Sequence, residues 1–339
     1  MNRKIGLVIV TYKDNFGSAL QSYATQEIVK QLGYQTEIFD ISGVSRKIMR
    51  NKVLFYLRRL FEQDEFSYVF EKAKSKFKKD NTNQYAENMR IRHEVYKKFY
   101  NDYFEFGPKV SSWAELTNQS KKYSSVVVGS DQLWRPSNIA GHYFTLEFEP
   151  VNDNKIAYST SFGVSVLPKD QHKQASKFLN RIESLSVREN TGQKLVKDLT
   201  DRDIPVVCDP TMLFDAEQWM SVQKEEPIIK KDYILTYFMG DNPQHREFVK
   251  KLKEKTGYKI IGLLHGSVYI AADEYYVDSA PFNIEPGEFI NLIRNAKFMC
   301  TDSFHGTVFS ILNSTLFFAF RRYFLSSLTK PILFSSTTA

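Results

Sequence analysis

The chain has 339 residues, 42% of them hydrophobic and 25% charged, proportions that exclude a disordered segment and leave enough length for two packed cores. The formal net charge is +7, and it is unevenly placed. Residues 46–98 alone hold fifteen Lys or Arg against seven Asp or Glu, an excess larger than that of the whole chain.

In chain order, the apolar run at residues 5–10 reads as a buried parallel strand. A polar loop at 11–17 follows, then a helix over 19–32 with apolar residues at Ala19, Leu20, Tyr23, Ala24, Ile28 and Leu32, stopped by Gly33. A strand at 36–41 completes a βαβ unit, whose crossover is expected to be right-handed. Residues from about 45 to 105 read as a basic, aromatic-rich helical insertion in which Val53, Leu54, Leu57, Leu60 and Phe61 form an apolar stripe. Strands are expected at 124–130, 155–162, 184–188 and 205–208, with a helix at 171–181. From about residue 215 the alternation resumes: strand 233–237, helix 243–256, strand 259–264, helix 286–295, strand 298–301 and helix 307–313. Strands alternating with helices in both halves predict parallel sheets covered on each face, with a hinge within 206–214.

Run 5–10 is too short for a secretory signal and lacks a small-residue cleavage site. The apolar tract at 312–334 is interrupted by Arg321, Arg322, Lys330 and Pro331, which argues against a membrane span. Cys208 and Cys300 sit in apolar strand contexts and read as buried free thiols of a reducing compartment. The expectation is a cytoplasmic protein without a metal site. The basic segment at 46–98 suits an anionic membrane surface, an acidic glycan or nucleic acid, and equally a solvated face with no partner. Nucleic acid is least favoured, because no reading motif accompanies the charge.

Four segments place polar groups where strands end. Asn15-Phe16-Gly17-Ser18 precedes a helix, a position that holds anions through backbone N–H groups and the helix dipole; a turn glycine with Ser18 as N-cap explains it equally well. In Gly129-Ser130-Asp131-Gln132-Leu133-Trp134, the polar side chains of Ser130, Asp131 and Gln132 suit sugar hydroxyls and Trp134 suits a sugar ring. The alternative is an Asp cap and a core Trp. Arg188, in Ser186-Val187-Arg188-Glu189, closes an apolar strand, where a guanidinium needs an anion or an internal partner such as Glu189 or Asp209. Thr301-Asp302-Ser303-Phe304-His305-Gly306-Thr307 sets His305 in a tight turn ahead of a helix expected to begin near Gly306. Anion binding and proton transfer are both in reach there, against a plain helix-capping histidine. His93, His172 and His245 read as surface residues.

In order and spacing, these motifs, together with Asp209-Pro210-Thr211, resemble the polysaccharide pyruvyl transferase family over nearly the whole sequence. The resemblance implies an α/β fold of two Rossmann-like domains with parallel sheets, like GT-B glycosyltransferases. Residues 1–212 would form the N-terminal, acceptor-side domain with the helical insertion, and 213–339 the C-terminal, donor-side domain. It also implies transfer of a pyruvyl group from phosphoenolpyruvate to a saccharide, free or lipid-linked, of a cell-surface polysaccharide, with phosphate released and no cofactor. His305 and Arg188 would be the catalytic pair. Asn15, Gly17, Ser18, Ser130, Asp131, Gln132, Trp134, Ser303, Gly306 and Thr307 would bind donor or acceptor. Such a fold is expected to continue past residues 317–320 with another strand and helix, so the second domain reads as truncated near residue 323. The competing expectations are a nucleotide-sugar glycosyltransferase and an inactive remnant or anionic-surface module.

Overall fold

A computed structural model of the protein describes residues 4–59, 83–152, 154–265 and 270–321. Leu60, Phe61, part of the basic segment and the proposed truncation point lie outside these residues. The chain forms two compact units. The first holds residues 1–11, 21–71 and 101–213, and the second 12–20, 72–100 and 214–339. A change of unit falls between residues 213 and 214. Residues 12–20 and 72–100 nevertheless cluster with the second unit, so the division is not contiguous.

The first unit is a six-stranded parallel sheet in the order β3-β2-β1-β4-β5-β6. Its strands are β1 Lys4–Val8, β2 Gln35–Asp40, β3 Phe106–Lys109, β4 Ser125–Val128, β5 Lys155–Thr160 and β6 Ser184–Val187. Central strands of a doubly covered sheet bury both faces, which accounts for the unbroken apolar runs Leu7-Val8 and Val126-Val127-Val128. Helices α1 Phe16–Gln31, α2 Ser45–Arg59, α3 Asn83–Tyr103, α4 Trp113–Ser120, α5 Pro136–Ala140, α6 His172–Leu179 and α7 Asn190–Thr200 punctuate the strands up to residue 200. Gly33 follows α1 at φ 86°, the left-handed conformation that lets a helix stop. Strand β3 and helices α4 and α7 are not among the elements expected from the sequence. Residues 205–208 contribute only an isolated parallel bridge, Val187 to Val206.

The second unit's sheet is parallel in the order β10-β9-β7-β8, from β7 Tyr233–Tyr237, β8 Lys259–Gly262, β9 Phe298–Thr301 and β10 Phe317–Ala319. Helices α8 Pro243–Thr256, α9 Pro286–Asn295 and α10 Phe304–Leu312 connect them. Asn242 caps α8 by accepting from the Gln244 N–H at 2.9 Å, and Gly257 at φ 72° closes it. Helix α9 opens with a reciprocal capping box between Glu285 and Glu288.

In each sheet the strand order reverses beside a central strand: between β1 and β4 in the first unit, and between β7 and β9 in the second. Loops leaving the carboxyl ends of such a pair diverge to opposite faces and open a crevice where α/β sheets take ligands. The polar motifs of residues 129–134 and 301–307 lie at these two places.

Several expectations need correction. The outward positions of the predicted stripe on α2, Val53, Leu54 and Leu57, are exposed, and the helix buries Ile48, Phe55 and Arg59 instead. Arg59 is held inward by Asp170 at 2.7 Å. Cys300 is buried as expected but Cys208 is exposed, because it follows a single bridge instead of lying in a covered strand. His245 is buried, packing against Phe238 and Phe320. The Pro243 start of α8 turns its side chain inward, and burial lowers its pKa against an opposing pull from Asp302.

Candidate active site

In the first unit the site grows from the end of β4. Gly129 has φ 144°, and a Cβ there would lie 2.0 Å from the Tyr158 carbonyl oxygen, so only glycine fits. The chain then turns inward at Ser130, which is fully buried. Its N–H donates to Gln21 Oε1 at 3.0 Å, and its single hydroxyl proton is shared between the Ser159 carbonyl at 2.7 Å and Asp209 Oδ2 at 2.9 Å.

Asp209 is the hub of this half. Its carboxylate is completely buried. Besides Ser130 it accepts the Thr211 N–H at 3.1 Å and hydroxyl at 2.8 Å on Oδ1, and Arg188 Nη1 at 2.8 Å on Oδ2. A carboxylate out of water is tolerable when donors and a cation compensate it this fully. Arg188 leaves the end of β6 with its side chain 11% exposed, its second carboxylate neighbour being Glu189 at 3.8 Å from Nε. The pair with Asp209 holds the guanidinium in a fixed orientation, which a flexible lysine could not reproduce.

Two predicted contacts do not survive in this half. Trp134 is fully buried, its ring against Phe162 and Phe178 and its Nε1 donating to the Phe144 carbonyl at 3.0 Å. It is a core residue and cannot stack on a sugar. Ser130 is likewise shut off from a ligand; its hydroxyl organises Asp209 instead. Asp131, at φ 69°, and Gln132 stay partly accessible. Asp131 Oδ1 accepts the Gln132 N–H at 2.8 Å, locking this turn.

The second unit gathers the other motifs. Helix α1 begins at Phe16, not at 19, because Asn15 caps it: Asn15 Oδ1 accepts the Ser18 N–H at 3.0 Å. Asn15 Nδ2 also reaches the Tyr237 hydroxyl at 3.3 Å. Gly17 and Ser18 thus belong to the first helical turn rather than to a loop, and Ser18 is not the cap. Phe16 fixes the turn by stacking on Phe289, ring centroids 4.6 Å apart and parallel.

Helix α10 also starts earlier than its periodicity suggests. Ser303 is the N-cap, its Oγ accepting the Gly306 N–H at 3.4 Å, so His305, Gly306 and Thr307 lie in the helix itself. The Thr307 hydroxyl donates to the Ser303 carbonyl at 3.2 Å, and a Cβ at Gly306 would fall 2.5 Å from Thr301 Oγ1. The His305 ring therefore stands at the positive end of a helix dipole. Gly17 lies directly against it: a Cβ at Gly17 would come within 2.1 Å of His305 Nδ1 and 2.4 Å of Cγ. Phe304, beside it, meets the ring edge-on at 5.1 Å and is itself exposed.

Asp302 builds the floor of this half. Its carboxylate accepts the N–H groups of Met239 at 2.5 Å and Gly240 at 3.0 Å. Arg246, buried with Asp273, donates from the other side to the carbonyls of Gly240 and Asn242, each at 3.1 Å. Both peptide faces of the loop after β7 are thereby fixed. Asp302 and Gln21 are residues that motif reading passed over, and it offered Asp209 only as an internal partner for Arg188, a pair that forms at 2.8 Å. Asp302 lies inside a recognised motif and Gln21 just after one, but only the folded chain shows that their side chains hold a neighbour in place. Among the described residues no group of three or more His, Cys, Asp or Glu side chains is placed to hold a metal ion, and no helix is long and apolar enough to cross a membrane.

These features define a two-unit α/β protein whose polar side chains collect at the carboxyl ends of parallel strands, the setting of a small-molecule site. The family model for polysaccharide pyruvyl transferase matches residues 15–322. The chain belongs to the polysaccharide pyruvyl transferase family. No curated protein matches it. Among solved structures it is similar to a putative UDP-N-acetylglucosamine 2-epimerase from Listeria monocytogenes, at 9% identity and a TM-score of 0.49, covering 91% of this chain and 76% of that one. It is also similar to the Methanocaldococcus jannaschii UDP-GlcNAc 2-epimerase in complex with UDP-GlcNAc and UDP, at 12% identity, a TM-score of 0.44 and coverage of 93% and 83%. An E. coli heptosyltransferase is a further neighbour, at 12% identity, a TM-score of 0.38 and coverage of 93% and 87%.

Proposed function

We propose that the protein transfers a pyruvyl group from phosphoenolpyruvate to two hydroxyls of a saccharide, forming a ketal and releasing inorganic phosphate. The observation that carries this reading is His305, set at the N-terminus of α10 against Gly17, within a family match that includes both motifs. Proton transfer to the methylene carbon of the enol phosphate creates an oxocarbenium-like carbon. One sugar hydroxyl adds to it, a second displaces phosphate, and the two hydroxyl protons are released. His305 acts at the donor, either as the acid toward carbon or as the group that steadies the departing phosphate. Arg188, oriented by Asp209, offers its guanidinium to a carboxylate or phosphate oxygen of a substrate. The acceptor is a saccharide, and the ketal-bearing product belongs to a cell-surface polysaccharide.

The test is release of phosphate from phosphoenolpyruvate as a function of added saccharide, run in deuterated water. Acceptor-dependent release with deuterium in the product methyl group is expected, and His305→Ala should abolish it. A protein that ignores phosphoenolpyruvate but binds a nucleotide sugar to saturation would refute the reading in favour of glycosyl transfer.

A further inference from the structure

Helix α2 has a division of its faces that neither the fold nor the proposed reaction uses. Its 15 residues include six cations and no acid. Three of the cations are engaged by the protein. Lys47 lies over the Trp113 ring at 5.5 Å, Lys52 over Phe144 at 5.8 Å, and Arg59 is buried against Asp170. The other three, Arg46, Arg50 and Arg58, are exposed, and among the described residues none of them pairs with a carboxylate. Between them on the same outward face stand Met49, Val53, Leu54 and Leu57, exposed by 59%, 47%, 43% and 48%. Spacings of three and four residues place all seven side chains on one continuous strip.

Water alone is a poor neighbour for four large apolar side chains in a row. A second copy of the chain would set arginine against arginine. A nucleic acid or acidic protein would satisfy the guanidinium groups and leave the apolar side chains idle. A surface carrying anionic groups above an apolar layer satisfies both sets.

We propose that the outward face of α2 docks on an anionic lipid bilayer. Met49, Val53, Leu54 and Leu57 enter the boundary between headgroups and acyl chains, and Arg46, Arg50 and Arg58 meet the lipid phosphates. The proposal stands on the helix alone and does not depend on pyruvyl transfer.

Co-sedimentation of the full chain with phosphatidylcholine vesicles, with and without about 30 mol% phosphatidylglycerol, tests it. Binding to the anionic vesicles should exceed binding to neutral ones by about tenfold or more. The variant R46Q/R50Q/R58Q should lose about tenfold in partitioning, and M49S/V53S/L57S a comparable amount. Absence of binding, equal binding to both vesicles, or binding that neither variant changes would each overturn the proposal. So would loss in the arginine variant alone, which marks a purely electrostatic surface. Should either variant misfold, a fluorophore on Val53→Cys in the Cys208→Ser background reports directly. A blue shift on anionic vesicles is expected, and an unchanged spectrum overturns the proposal.

Discussion

Gly17→Ala isolates the relation between the first turn of α1 and the histidine it faces. Alanine is ordinarily favoured over glycine in a helix by about 1 kcal/mol, so the substitution should stabilise if the site had room. The added carbon would instead sit 2.1 Å from His305 Nδ1 and 2.4 Å from Cγ, where tight contacts begin at 3.4 Å. Relief requires the imidazole to withdraw by roughly 1 Å or more, with an overpacking cost of about 1–3 kcal/mol. A reacting group misplaced by that distance loses on the order of 100-fold in rate. The expected variant is folded, melts a few degrees lower and turns over about 100-fold more slowly. Acceptor-dependent phosphate release, thermal melting and the imidazole resonances of His305 would be measured together. Gly33→Ala is the control: at φ 86° and with nothing within 4 Å it should lower stability modestly and leave turnover alone. A Gly17→Ala protein with wild-type turnover and an unmoved imidazole would refute the reasoning.

Asp209→Asn keeps one acceptor oxygen, enough for Thr211 on the Oδ1 side, but puts an amide donor where Oδ2 accepts Ser130 and Arg188 and removes the charge that holds Arg188. Breaking this buried pair should cost about 3–5 kcal/mol and raise the Michaelis constant for the donor more than that for the acceptor. A lowered melting temperature with unchanged donor kinetics would reduce Asp209 to a purely structural part. Lys155, buried in β5 beside Asn152, is pushed down to about 8 by desolvation and by Arg181, against Glu149 and Glu147. Its folded pKa lies below the unfolded value, so its charge opposes folding fully below pH 8, and that cost fades as pH rises toward 10.5. Lys155→Met should therefore stabilise the protein at pH 7 by about 1–3 kcal/mol, with the advantage shrinking through that window in chemical denaturation. An advantage independent of pH would sink the assignment.

Local rules were enough for much of the architecture. Helices α8 and α9 and strands β7 and β9 were legible residue by residue, because Asn242 with Pro243, Glu285 with Pro286, and short unbroken apolar runs are signals contained in a few adjacent residues. The motifs around Asn15, Gly129, Arg188 and His305 were equally visible, since a strand end followed by Gly or a polar residue is a local pattern. Where α1 and α10 begin was less so. Asn15 and Ser303 compete with the residues after them for the capping role, and contacts such as Phe16 on Phe289 accompany the earlier start.

What each polar residue does was decided only by packing. Trp134, Ser130 and His245 read as ligand-facing or surface residues, yet all three are buried, because their strand and helix ends turn inward on partners far away in sequence. Arg188 and Asp209 are 21 residues apart, and Gly17 and His305 are separated by most of the chain. The amino-acid sequence alone thus determined the alternation of elements, the family and the chemical groups present. Their partners, burial and orientation came from tertiary structure, because a hydrogen bond or a close contact depends on distances that only long-range strand pairing sets.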